Sequence, residues 1–239
     1  MLDGRGVIAL PFPGELLGII GAFGPSAVGL WFLVRHMKRS FKSVIKETFF
    51  YRGDIRTAFL TFALMPGILG ISYLITRFLF GVEYALEWFE APWMIPVVFL
   101  YILFLGGPLG EEIGWRGYAL PGLLRKYNPF VASLILGLVW TFWHVPAFFI
   151  PDSAQEGISF PLYLVNTMIL TMILTVLYLR TKRISSALYF HTSANFALGI
   201  FYIIDQTSAL VFIGIFMVLT LLTLLYKERA RMFKRPAPL

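Results

Sequence analysis

Six polar residues carry the chemistry available to this sequence. Glu111, Glu112 and Arg116 fall in Gly110-Glu111-Glu112-Ile113-Gly114-Trp115-Arg116-Gly117, His144 in Trp140-Thr141-Phe142-Trp143-His144-Val145-Pro146, and His191 and Asn195 in His191-Thr192-Ser193-Ala194-Asn195. All three segments sit inside apolar stretches of bilayer-spanning length. An ionisable group at the centre of a spanning helix costs about 2.5–3.5 kcal/mol on insertion scales, so intramembrane carboxylates and histidines mark function by default.

Helical phase separates their roles. Glu112 and Arg116 are i, i+4 neighbours in the favourable acid-before-base order and can neutralise each other. Glu111 points about 100° away around the helix, without a local cation, and is the better proton-transfer group. His191 and Asn195 are again i, i+4 and share a face. Each element alone has a bland reading, an interfacial salt bridge for the first and interhelical hydrogen bonds for the histidines. A carboxylate, two histidines and an amide on three helices are harder to explain as independent packing bonds. The third histidine, His36, lies in a basic loop and reads as solvated.

The elements that must position these groups are transmembrane helices. The 239 residues are 58% hydrophobic and 14% charged, with mean hydropathy +0.77; soluble domains are about a quarter charged. The apolar runs are continuous rather than alternating and approach the ~20 residues that cross about 30 Å of hydrocarbon, which calls for helices. We read one membrane-embedded domain, 1–239, as an all-α bundle of about seven spans: Leu17 to Val34, Ala58 to Phe80, Trp93 to Tyr118, Phe130 to Ile150, Phe160 to Leu179, Ile184 to Ile204 and Ala209 to Tyr226. Pro25 and Pro66 are expected to kink their helices. Trp88, Trp93 and Tyr226 are expected to anchor at the interfaces.

The connections alternate in charge. Arg35, Lys38, Arg39, Lys42, Lys46, Arg52 and Arg56 follow the first span, Arg125 and Lys126 the third, and Arg180, Lys182 and Arg183 the fifth; Lys227, Arg229, Arg231, Lys234 and Arg235 form the tail. The intervening connections hold no base: 81–92 carries Glu83, Glu87 and Glu90, and 151–159 and 205–208 carry no Lys or Arg. The positive-inside rule places the N-terminus outside and the C-terminus in the cytoplasm of a multi-pass protein, of the cell membrane in a prokaryotic host. The net charge of +7 is thus a matter of orientation and anionic headgroups, and no basic face joins an aromatic platform that would suit nucleic acid. With no cysteine, disulfides, Cys-ligated zinc and thiol catalysis are excluded. The N-terminus lacks a cleavable signal pattern, and the first span is expected to direct insertion.

Glu111-Glu112-x-x-x-Arg116, an aromatic four residues before His144, and His191-x-x-x-Asn195 together resemble the CPBP intramembrane protease family, the CAAX prenyl endopeptidase and bacteriocin-processing (ABI) proteins. Gly21-Ala22-Phe23-Gly24-Pro25 is similar to a stretch found early in that family. The resemblance implies a glutamate-dependent endopeptidase working between helices. It makes Glu111 the first glutamate, Glu112 and Arg116 the supporting pair, and His144, His191 and Asn195 the remaining catalytic positions. Glu111 with His144 would hold and deprotonate water, and His191 and Asn195 would donate to the developing oxyanion. Trp140 stands where many members have Phe, a change expected to matter little, and the N-terminus lacks a full first span that many members possess.

The expected partners are a peptide or protein substrate at the membrane and the bilayer itself, with no nucleic acid. No cofactor is expected. Zinc on Glu111, His144 and His191 is the alternative, but the H-E-x-x-H arrangement is absent and His191 has Asn195 rather than a second His at i+4. Two other functions remain open: a non-catalytic immunity or scaffold protein of the same fold, and a proton-coupled transporter, which would call for a water path to both faces.

Overall fold

A computed structural model describes residues 18, 20–81, 92–150, 153, 155–201 and 207–234, which are helical with short connections and contain no strand. Leu17, Glu83, Glu87, Trp88, Glu90, Asp205 and Arg235, and the start of the chain, lie outside the described residues.

The first span contains α1 (Gly24–Trp31), with Pro25 in its first turn, and ends in a π-helical turn, Phe32–His36. The basic segment that follows is not simply a loop, as the charge pattern suggested. It contains an amphipathic helix, α2 (Phe41–Phe49), that buries Val44 and Thr48. Val44 packs with Leu33, Ile113 and Ile184, and the carbonyls of Phe49 and Phe50 accept from Tyr189 and Ser185. Its lysines, Lys42 and Lys46, lie off the buried face.

The second span is broken. Asp54 caps α3 (Ile55–Phe62) by accepting from the Thr57 N–H at 2.7 Å, and α4 (Leu64–Phe80) continues at a 51° bend. The break falls just before Pro66, whose ring clashes with the carbonyl four residues back and supplies no N–H. Gly81, at φ 63°, ends α4 in the left-handed conformation.

The third span runs further than its apolar pattern indicated, through α5 (Met94–Leu105), α6 (Pro108–Glu112), a π-helical turn (Ile113–Ala119) and α7 (Leu120–Leu124). The segment after Tyr118 is therefore helix. Asn128 caps α8 (Pro129–Trp143), which gives way at His144 to a 3₁₀ turn, Val145–Phe149, with Pro146 as its second residue. Then come α9 (Phe160–Thr181), α10 (Ile184–Phe201), α11 (Thr207–Lys227) and α12 (Arg229–Met232).

By length and composition, Met94–Leu124, Pro129–Phe149 and Phe160–Thr181 suffice to cross a membrane, and the bent α3–α4 pair makes a fourth; Val211–Lys227 is a shorter apolar helix. The chain is an all-α, polytopic membrane bundle. α10 is less apolar because it is surrounded by protein rather than lipid. It contacts α2, α3, α4, α5, α6 and α9, and its Ser185, Ser186, His191, Thr192 and Ser193 are all buried. The core joins α4, α9, α10 and α11 through Leu69, Ile173, Leu177, Phe190 and Met217. α5, by contrast, turns Val97, Leu100 and Tyr101 outward, as a lipid-facing helix would.

Candidate active site

Two small-residue features set the site. α1 lies against α6 and the following π turn so closely that a Cβ on Gly110 would stand 2.5 Å from the Ala22 carbonyl oxygen, and one on Gly114 would stand 2.3 Å from that of Pro25. Glycines at i and i+4 let the backbones meet, as in small-xxx-small packing. Upstream, Gly107 adopts φ 103° and opens the helix before Pro108. A Cβ there would lie 3.1 Å from Glu111 Oε1, so glycine satisfies both the turn and the carboxylate. Broken backbone of this kind at membrane depth is tolerated where protein surrounds it. Here the Gly106 carbonyl accepts from Asn195 Nδ2 at 3.4 Å.

The π turn carries Trp115 and Arg116 directly after the two glutamates. One carboxylate is embedded in ionic contacts. Glu112 Oε1 accepts from Arg116 at 2.9 Å and hydrogen-bonds His191 Nδ1 at 2.9 Å. Glu112 and Arg116 are completely buried. The arrangement is not fully satisfied: among the described residues, Glu112 Oε2 and Arg116 Nε and Nη2 have no hydrogen-bond partner. The guanidinium instead rests over the Trp140 ring, 4.8 Å from its centroid, a cation–π contact.

The other carboxylate is held by neutral donors. Trp115 Nε1–H donates to Glu111 Oε2 at 3.2 Å, and Trp140 Nε1–H donates to the same oxygen. Glu111 Oε1 faces His144 Nε2 at 3.7 Å, too long for a direct hydrogen bond. His144 Nδ1 is 2.8 Å from the Trp140 carbonyl oxygen. A carbonyl only accepts, so Nδ1 carries the proton, and a neutral ring presents Nε2 as an acceptor toward Glu111. One water donating to both Oε1 and Nε2 would keep its lone pairs free.

Five of the six residues singled out by sequence thus form a continuous cluster. Trp140 lies between its two parts, edge-on to His191 at 5.2 Å between ring centroids. Asn195 lies one turn along α10 from His191, and its side-chain amide donates to the Gly106 carbonyl. His36 is exposed and stacks beside Trp31 and Phe32, away from the cluster. Trp115 and Trp140 were missed as ligands of Glu111. Their signal was present, since Trp115 is i+4 from Glu111 and Trp140 is i−4 from His144, but aromatics in a membrane chain read first as packing.

Among the described residues, no three His, Cys, Asp or Glu form a group that could hold a metal ion. An open groove of about 620 Å³ between α3 and α11, lined by Arg56, Phe59, Phe216 and Lys227 among others, includes none of the six residues.

Residues 91–197 match the family model described as Type II CAAX prenyl endopeptidase Rce1-like, a stretch that contains all six. A curated relative from Methanococcus maripaludis, named CAAX prenyl protease 2, is 33% identical over 115 residues, 44% of this chain and 39% of the relative. The chain therefore aligns with well under half of that relative's length.

Proposed function

We propose, from the premise that residues 91–197 belong to the Rce1-like group of the CAAX protease (CPBP) family, that the chain is an intramembrane endopeptidase. The observation that carries this reading is the Glu111–His144 pair: a carboxylate oxygen and a ring nitrogen 3.7 Å apart, both acceptors and both anchored from behind. A water between them is positioned for general-base activation.

In the proposed reaction, Glu111 takes a proton from that water as its oxygen bonds to the scissile carbonyl carbon, and the carbonyl π electrons move to oxygen. Asn195 donates to this oxyanion, and His191 joins it through Nε2–H as an imidazolium whose Nδ1–H is held by Glu112. The tetrahedral intermediate collapses, the C–N bond breaks, and Glu111 returns the proton to the departing nitrogen, leaving one new carboxyl and one new amine. Glu112 and Arg116 hold His191 in place and take no proton.

The substrate is a peptide or protein segment presented at the bilayer. The relative's name suggests a prenylated C-terminus, and a peptide precursor or the end of a membrane protein would suit the same chemistry. The proposed reaction uses no zinc. The basic connections support a cytoplasmic C-terminus.

Substrate trapping tests the reading. Glu111→Gln protein should co-purify with membrane polypeptides that mass spectrometry identifies, and purified wild type in liposomes should cleave them. Captured polypeptides that wild type leaves intact would count against an endopeptidase and for a scaffold.

A further inference from the structure

Trp140 is fixed from several sides. It is 3% exposed. Its Nε1–H donates to Glu111 Oε2, its face carries the Arg116 guanidinium 4.8 Å from the ring centroid, and the His191 ring meets it edge-on at 5.2 Å. Its own carbonyl accepts from His144 Nδ1 at 2.8 Å. This one residue touches both the base pair and the cationic anchor.

The ring face and the indole N–H do different things. Any aromatic can lie beneath Arg116 and against His191. The Trp140 indole also reaches Glu111 with a donor, which phenylalanine, having no polar atom, could not do. Little effect from Trp140 in place of Phe is expected if the ring alone is counted. Such a donor matters to Glu111 because, among the described residues, no cation is bonded to it: Arg116 is bonded to Glu112, and His144 stands 3.7 Å away. Trp115 supplies a second N–H to the same oxygen at 3.2 Å. Both bonds fall on Oε2. They fix the carboxylate's rotation about its last torsion and leave Oε1 turned to His144.

We propose that Trp140, assisted by Trp115, is a positioning residue that clamps Glu111 through Oε2 and so reserves Oε1 for the water shared with His144. The proposal rests on the endopeptidase reading for its catalytic consequence, whereas the clamp itself is a structural claim that can be read without turnover. It also implies that a Trp at this position is coupled to a second donor at position 115, so that the two act as a pair on one oxygen.

Two measurements decide it. The first is indole NMR on ¹⁵N-tryptophan-labelled full-length protein, with the Trp115 and Trp140 signals assigned by Trp115→Phe and Trp140→Phe. Glu111→Gln should move both indole N–H resonances, while those of Trp31 and Trp93 stay in place. Unmoved Trp140 and Trp115 signals in a folded Glu111→Gln protein would overturn the clamp, whatever the activity.

The second is kinetic, on a polypeptide that wild type cleaves. Trp140→Phe keeps the ring beneath Arg116. It should lower kcat about ten- to hundredfold, the scale of one lost hydrogen bond to a charged group, with KM and thermal unfolding close to wild type. Trp140→Leu, which removes the ring as well, should additionally lower the unfolding temperature. Equal kcat for Trp140→Phe and wild type would refute the catalytic consequence. A wild type that cleaves nothing would refute the endopeptidase reading and leave the clamp to the NMR result.

Discussion

Glu111 and Glu112 are adjacent in the chain but differ in what holds them. Glu112 is completely buried and bonded at 2.9 Å to both Arg116 and His191. Glu111 has two indole donors on one oxygen and a histidine at 3.7 Å from the other. The first arrangement is tight and ionic, and it ties α6 and the π turn to α10. The second is looser and keeps one oxygen uncommitted. One turn of helix thus presents one carboxylate tied into ionic contacts and one turned toward a histidine, because neighbouring residues point about 100° apart.

The comparison breaks most visibly if the anchor is removed. Glu112→Gln should lower stability by about 3–5 kcal/mol, since it strands a completely buried guanidinium whose Nε and Nη2 already lack hydrogen-bond partners among the described residues. Thermal unfolding in detergent, followed by intrinsic tryptophan fluorescence, measures it; a midpoint equal to wild type would remove Glu112 from the anchoring role.

Next in size is the backbone contact that seats the anchor. Gly114→Ala would place a methyl 2.3 Å from the Pro25 carbonyl oxygen, and neither partner is a flexible side chain. We expect a loss of about 1–3 kcal/mol, the usual cost of overpacking, seen as a lower urea midpoint. An unchanged midpoint would mean that α1 and the π turn separate easily.

Metal removal should have no effect. In the proposed reaction Glu111 and His144 activate water by themselves, so exhaustive chelation followed by elemental analysis should leave cleavage intact. Stoichiometric zinc, with activity lost to the chelator and restored by zinc alone, would replace the mechanism.

A small effect is expected remote from the site. The Thr57 backbone N–H, with the Thr57 side chain adding to it, holds the exposed Asp54 carboxyl below its ordinary value of 3.8. A lowered carboxylate stabilises the fold above its unfolded value and loses that contribution as pH falls through the folded one. Asp54→Ala should therefore melt slightly below wild type at neutral pH, and the gap should close as pH drops below 3.8. A gap that persists there would point to packing rather than capping.

Much of this was legible in the sequence, for identifiable reasons. Carboxylates and histidines inside apolar runs are expensive, so their presence marked the cluster, and i, i+4 spacing assigned Arg116 to Glu112. What escaped notice depends on contacts between helices or on local breaks. The indole donors to Glu111 were hidden because tryptophan is common in membrane chains for other reasons. The Gly106–Gly107 opening and the 51° bend before Pro66 do not interrupt an apolar run, so hydropathy passes over them. α2 was hidden because its basic residues dominate a nine-residue amphipathic segment, and α7 because Arg125 and Lys126 follow so closely that the span appeared to end early.

The central claim is that Glu111 does chemistry while Glu112 holds structure. The most direct measurement is turnover by purified Glu111→Gln on a polypeptide that wild type cleaves, taken together with its unfolding midpoint. Loss of a positioned general base lowers rates by about 10²–10⁴-fold, so turnover should fall by that factor while the midpoint stays within experimental error of wild type. Wild-type turnover, or a loss of activity matched by a loss of folding, would contradict the division.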